Sequence, residues 1–202
     1  MSEATQSNGD HLVLGLGNPG AGYRMTRHNR GREVVQELAR RRKLDFTERK
    51  CATSLAYDAD TQLLLGLPET FMNRSGYAAH CLLESRRIPL DRLLIIYDDI
   101  SLPLGNLRLR SRGGPGGQKG MASVIEQLSS DSVARLRLGI LPEEGLPVAV
   151  DLADFVLSPF DKSEIETAST QVERAADACE SWLREGSETT MNRFNSVVRD
   201  CG

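Results

Sequence analysis

Short apolar runs alternate along this chain with stretches that repeat every three or four residues, and that interleaving of strand with helix leaves few folds open. The run His11 to Leu16 and the strongly apolar run Leu93 to Tyr97 read as buried strands. Residues 51–57 and 61–67 read as two more, around a turn at Asp58-Ala59-Asp60. Leu107 to Arg110 and Arg135 to Ile140 alternate apolar with basic residues, as strands with one wet face do. Between the runs, Val34, Val35, Leu38 and Ala39 share one helical face within 31–42. Asn73 can cap a helix running to about Arg87, and Met121 to Leu128 forms a shorter one. Ile165, Ala168, Val172, Ala175, Cys179 and Trp182 step along a long amphipathic helix, with a last helix after Gly186. The expectation is an α/β sandwich around a twisted mixed β-sheet, in one domain of residues 11–202 behind a flexible tail of residues 1–10.

Charge is distributed unevenly, and that matters more than its sum of -3. Residues 24–43 carry eight Arg and Lys against Glu33 and Glu37, a net of +6. Residues 102–140 carry six against Glu126 and Asp131, a net of +4, whereas residues 141–202 carry thirteen acids against five bases, a net of -8. Such asymmetry points to a polyanion met on one side, the alternative being solvated faces of helices and strands. No apolar run reaches the roughly 18 residues that span a bilayer, and residues 1–10 have neither signal nor transit character, so a soluble cytoplasmic protein is expected. Cys51, Cys81, Cys179 and Cys201 form no C-x-x-C pair and lie near no histidine at ligand spacing, so free thiols are expected.

Five segments carry candidate chemistry. Gly15-Leu16-Gly17-Asn18-Pro19-Gly20 matches G-x-G-x-x-G after a strand, but the loop continues where a dinucleotide-binding helix should start. A tight strand-to-loop turn accounts for it and leaves Asn18 aimed out of a constrained backbone. His28 lies in a polar loop beside Arg24, Arg27 and Arg30, whose charge would favour the neutral, proton-accepting imidazole. It is either a general base or a surface or cap histidine. Phe71-Met72-Asn73-Arg74-Ser75-Gly76 opens a helix, with Asn73 as its cap or as an amide offered to a carbonyl or phosphate. Tyr97-Asp98-Asp99-Ile100 ends the most apolar strand, where α/β sheets gather ligands, and one aspartate there could orient an imidazole. A metal site is disfavoured, because no second ligand cluster is visible. Five glycines among residues 113–120, flanked by Arg108, Arg110, Arg112, Arg135 and Arg137, suit phosphate binding or a mobile lid. No G-x-S-x-G, Walker or H-E-x-x-H motif is present, so water is the expected nucleophile of any hydrolysis.

In order and at their spacing, these segments resemble the bacterial-type peptidyl-tRNA hydrolase family. The resemblance runs through Leu14 to Gly20, Tyr23, Thr26-Arg27-His28-Asn29, Thr70 to Gly76, Asp98-Asp99, Leu102 to Gly105 and the glycine-rich segment. It continues through Arg135 to Ile140, Asp154 to Leu157 and Met191 to Asn195. It implies a monomeric three-layer α/β/α enzyme, without metal or cofactor, that cleaves the ester between a peptide and the 3′-terminal ribose of tRNA. His28 would then be the general base, Asp98 would stabilise its proton-accepting form and Asn18 would contact the ester. Tyr23, Phe71, Met72 and Asn73 would line the site, and Arg108, Arg110, Arg135 and Arg137 would meet acceptor-stem phosphates. One departure is plain: Gln118-Lys119 stands where the family usually has His-Asn, so Lys119 would contact a phosphate instead. A non-catalytic RNA-binding protein on the same scaffold is the alternative that this departure favours.

Overall fold

The computed structural model describes residues 9–146 and 151–195. The expected N-terminal tail therefore lies, but for residues 9 and 10, outside the described residues. The elements run β1 (His11–Gly15), α1 (Arg30–Arg41), β2 (Glu48–Lys50), β3 (Thr53–Asp58), β4 (Leu63–Pro68), α2 (Ser75–Arg86), β5 (Leu93–Pro103) and β6 (Leu107–Arg110). Then come α3 (Lys119–Leu128), β7 (Ala134–Leu141), α4 (Leu152–Leu157) and α5 (Ile165–Phe194). One seven-stranded sheet has the order β2-β3-β4-β1-β5-β7-β6. Its centre, β4-β1-β5-β7, is parallel, while β3, β2 and β6 add antiparallel edges.

Burial on both faces explains the apolar runs. On one face Val13, Leu65, Leu94, Ile96, Leu136 and Leu138 pack with Val34, Val35 and Leu38 of α1 and with Ala175, Cys179 and Trp182 of α5. On the other, Leu12, Leu14, Leu64, Ile95 and Tyr97 pack with Ala79 and Leu82 of α2 and Met121 and Val124 of α3. This is the expected mixed-sheet α/β sandwich in three layers. Gly31 sets how close α1 comes: a Cβ there would lie 2.2 Å from the Ile96 carbonyl and 2.7 Å from the Leu16 nitrogen. Only glycine lets the first turn of α1 rest against the ends of β1 and β5. The long amphipathic periodicity is one helix broken at Gly186, whose φ of 77° leaves the helical region.

Two expectations fail locally. Asn73 is not a cap: residues Met72–Arg74 form a 3-10 turn, and α2 starts after it without a side-chain cap. The turn is fixed instead by Asn18 Oδ1 accepting from the Met72 nitrogen (2.9 Å) and by Ser75 Oγ donating to the Met72 carbonyl (2.8 Å). Cys51 and Cys81 are not free thiols but a disulfide, with Cα atoms 5.7 Å apart. It ties the β2–β3 turn to α2, a meeting of residues 30 apart that no local spacing announces. Cys179 is free and buried.

Candidate active site

Three adjacent parallel strands deliver the polar groups to one edge of the sheet. Asn18 comes just after the end of β1, Phe71 to Asn73 come after β4, and Asp98 lies near the end of the apolar part of β5. Alternation along β5 separates its two aspartates. Asp98 shares parity with Leu94 and Ile96, on the α1 side, and Asp99 shares parity with Ile95 and Tyr97.

His28 sits in a 3-10 turn, Arg27–Asn29, directly ahead of α1. Both neighbours anchor that turn. The Arg27 guanidinium pairs with Glu164 (2.5 and 3.0 Å) and stacks over Phe155 and Phe160 at 4.5 and 4.6 Å. Asn29 grips the Asn18 backbone twice, accepting from its nitrogen (2.8 Å) and donating to its carbonyl (3.0 Å). The imidazole between them is left to face the sheet edge, where Nδ1 lies 2.8 Å from Asp98 Oδ2. A carboxylate oxygen accepts, so Nδ1 carries the proton and Nε2 presents its lone pair. Asp98 is 3% exposed, and its Oδ1 accepts from Gln118 Nε2 at 3.3 Å. Arg27 and Arg30 are engaged by Glu164 and Glu33, and the charged partner of the ring is Asp98.

Other candidates gather less tightly. Asn18 Oδ1 accepts from the Met72 nitrogen, and among the described residues its Nδ2 amino group makes no hydrogen bond. Met72 is buried, whereas Phe71 and Asn73 are exposed beside it. Tyr23 is half-buried in a 3-10 turn, and among the described residues its phenol makes no hydrogen bond. Lys119 is exposed in the first turn of α3 and forms no ion pair among the described residues.

The arginine quartet splits. Arg108 faces Arg137 and Arg110 faces Arg135 across the β6–β7 pair. Arg135 is 1% exposed and donates to the carbonyls of Val133 (2.9 Å), Asp131 (2.8 Å), Gly114 (3.1 Å) and Gly113. It is a strut under the glycine-rich loop, with every nitrogen of its guanidinium engaged, and is not placed to meet a phosphate. Arg137 pairs with Asp99 and donates to Ser101 Oγ at 3.0 Å. Burial opposes the charged form of Asp99, but the bonds from Arg137 and Ser101 outweigh it and hold its carboxyl below the usual aspartate range. Arg110 is exposed, Arg108 is half-buried with a bare Nε, and neither forms an ion pair among the described residues. The loop itself turns through positive φ at Gly113, Gly116 and Gly117. The carbonyls of Gly113 and Gly114 are pinned by Arg135, which confines any lid motion to the residues between Gly114 and α3. Among the described residues no three His, Cys, Asp or Glu side chains converge to hold a metal ion.

Residues 12–200 match the family model described as peptidyl-tRNA hydrolase. The chain belongs to the peptidyl-tRNA hydrolase family. Within it, the peptidyl-tRNA hydrolase of Methylacidiphilum infernorum is 42% identical over 187 residues, covering 92% of this chain and 98% of that protein. That of Roseiflexus castenholzii is 45% identical over 188 residues, covering 92% of this chain and 86% of that protein. The crystal structure of peptidyl-tRNA hydrolase from Acinetobacter baumannii superposes with a TM-score of 0.84 at 27% identity, covering 93% of this chain and 95% of that one. The family match runs through the 3-10 turn of His28, the strand of Asp98 and the turn of Asn73 alike. Sequence reasoning missed two members of the constellation, Asn29 as the clamp on Asn18 and Gln118 as the second partner of Asp98. A histidine flanked by two anchoring polar residues was the available signal for the first.

Proposed function

We propose that this protein hydrolyses the ester joining a peptide to the 3′-terminal ribose of tRNA, with His28 as the base that activates water. The observation that carries the role of His28 is its Nδ1 contact with Asp98 at the edge where the parallel strands end. Water gives a proton to Nε2 and attacks the ester carbonyl. Asp98 holds the imidazole in that tautomer and stabilises the imidazolium that forms. The Nδ2 group of Asn18 donates to the developing oxyanion, as preorganised amides do. Collapse expels the ribose oxygen, which takes its proton back from the imidazolium. An ester is already activated, so one base and a few amide donors suffice.

Phe71 offers an exposed ring for a terminal base, and Asn73 an amide that no helix uses. Tyr23 and Met72 complete the lining. Arg108, Arg110 and Lys119 meet phosphates of the acceptor stem and 3′ end; Arg135 leaves that group and Arg137 enters it only in exchange for Asp99. The enzyme works as a monomer in the cytoplasm, where translation supplies its substrate, although a Cys51–Cys81 disulfide is uncommon there. The decisive assay mixes purified protein with N-blocked aminoacyl-tRNA and measures release of the blocked amino acid. His28→Ala should slow release by about 10²–10⁴-fold with the fold intact. Release at the wild-type rate in that variant rejects the base assignment, and tight tRNA binding without release by the wild type favours a binding protein.

A further inference from the structure

We propose that Gln118 is a positioning residue for the His28–Asp98 pair, holding the second carboxylate oxygen of Asp98 and tying the base to the start of α3. This rests on the reading of His28 as base. The carboxylate torsion of an aspartate is broad, so one hydrogen bond to His28 does not fix the plane of the group. A second donor on the other oxygen does. Gln118 Nε2 supplies it at 3.3 Å, in a place where Asp98 is 3% exposed and water has little access.

Gln118 is itself held on every side. Its Oε1 accepts from the Met121 nitrogen at 2.8 Å and caps α3. Its backbone nitrogen donates to the Pro115 carbonyl (3.1 Å), and its carbonyl accepts from Ala122 (3.0 Å). Nε2 also rests 3.2 Å from the Met72 sulfur. There is no slack beside it: a Cβ at Gly120 would come within 2.4 Å of that sulfur and 3.0 Å of Gln118 Oε1. Since the Met72 nitrogen is held by Asn18 Oδ1, a continuous string runs Asn18–Met72–Gln118–Asp98–His28. It sets the amide donor and the base from one strut. The amide is neutral, so this donor persists at every pH at which the imidazole titrates.

Two variants separate positioning from helix capping. Gln118→Ser keeps a good N-cap but cannot reach Asp98. Its kcat should fall about 10–100-fold, the usual cost of an orienting partner, with KM and Tm unchanged. Gln118→Glu keeps the capping oxygen and sets a second carboxylate against Asp98. Imidazolium is then favoured, and the acid limb of the kcat/KM profile should move to higher pH. A wild-type kcat in Gln118→Ser, or an unmoved acid limb in Gln118→Glu, overturns the proposal. His28→Ala measured alongside keeps the two levels apart. If it is inactive while both Gln118 variants behave as wild type, only the positioning role falls; if it is active, the base reading beneath falls as well.

Discussion

Arg135 and Arg110 face each other across β6 and β7, yet the structure gives them opposite work, and substitution should separate them sharply. Arg135→Met keeps much of the length of the side chain and deletes its donors. Four carbonyls, those of Val133, Asp131, Gly113 and Gly114, then lose a charged partner. A hydrogen bond to a charged group is worth about 1.5–3 kcal/mol net, but the four share one guanidinium and some of those carbonyls can turn to water. Removing the guanidinium also relieves its desolvation, which is the leading cause pushing its pKa down. A net loss of about 2–4 kcal/mol is expected, or roughly 5–15 °C in Tm for a chain of this length. Salt dependence of tRNA binding should not change, because no phosphate contact is lost. Arg110→Ala should do the reverse, leaving Tm in place and reducing the slope of log affinity against log salt by about 0.7–0.9, one contact's share. Thermal unfolding and fluorescence titration of tRNA from about 50 to 200 mM salt would measure both. If Arg135→Met lowers the salt slope and spares Tm, the strut assignment is wrong.

The ion pair and the disulfide lead to two further outcomes. The Asp99 carboxyl sits below its ordinary value of 3.8, so its contribution is full above that value and is lost as pH falls through the folded-state value. Asp99→Asn should therefore cost about 1–3 kcal/mol at neutral pH, and the gap from wild type should close in acid; a gap independent of pH, measured by chemical denaturation, would refute the pairing. Closing a loop of 30 residues, the Cys51–Cys81 bond should stabilise by about 3–4 kcal/mol, so dithiothreitol or Cys51→Ser should lower Tm by roughly 7–15 °C, and an unchanged Tm would show that the bond does not form in solution.

What the sequence made legible was the part governed by local pattern. Runs of buried residues marked β1, β4 and the first half of β5, because parallel strands covered on both faces cannot alternate. The spacing of Val34, Val35 and Leu38 marked α1, and His28, Asp98 and Asn18 stood out because each was a polar residue at a strand end or in a constrained loop. β2 escaped notice because Glu48, Arg49 and Lys50 are all exposed and carry no apolar face; their charges suit an edge strand. Arg135 misled for a related reason. A basic residue at an alternate strand position reads as a wet face, and only the fold shows a glycine-rich loop lying over it. Gln118 was seen as a departure from the family pattern but not as a partner of Asp98, since 20 residues and a strand change separate them. Asn73 looked like a cap because the 3-10 turn that frees it is held from 54 residues away by Asn18.

A chain of net charge -3 that handles a polyanion must rely on where its cations stand. Five of the eight cations in the basic stretch 24–43 are matched by carboxylates. Arg27 is paired with Glu164, Arg30 with Glu33, Arg40 with Glu37, Arg41 with Glu37 and Asp177, and Arg42 with Asp58 and Glu180. The acidic last third thus supplies counterions that close the seam between α1 and α5, and beyond about 8 Å at physiological salt these matched charges present little field. Among the described residues Arg108, Arg110 and Lys119, around β6 and the start of α3, are among the cations that form no such pair. Asp98 pairs with Leu138 and Leu138 with Leu107, so the backbone of Arg108 starts two strand spacings, roughly 10 Å, from that of Asp98, with its side chain on the other face of the sheet. That separation is about one screening length. On the proposed reading, a phosphate held by Arg108 stands about one screening length from the imidazole, so its charge does little to the base, and binding and base strength are set independently.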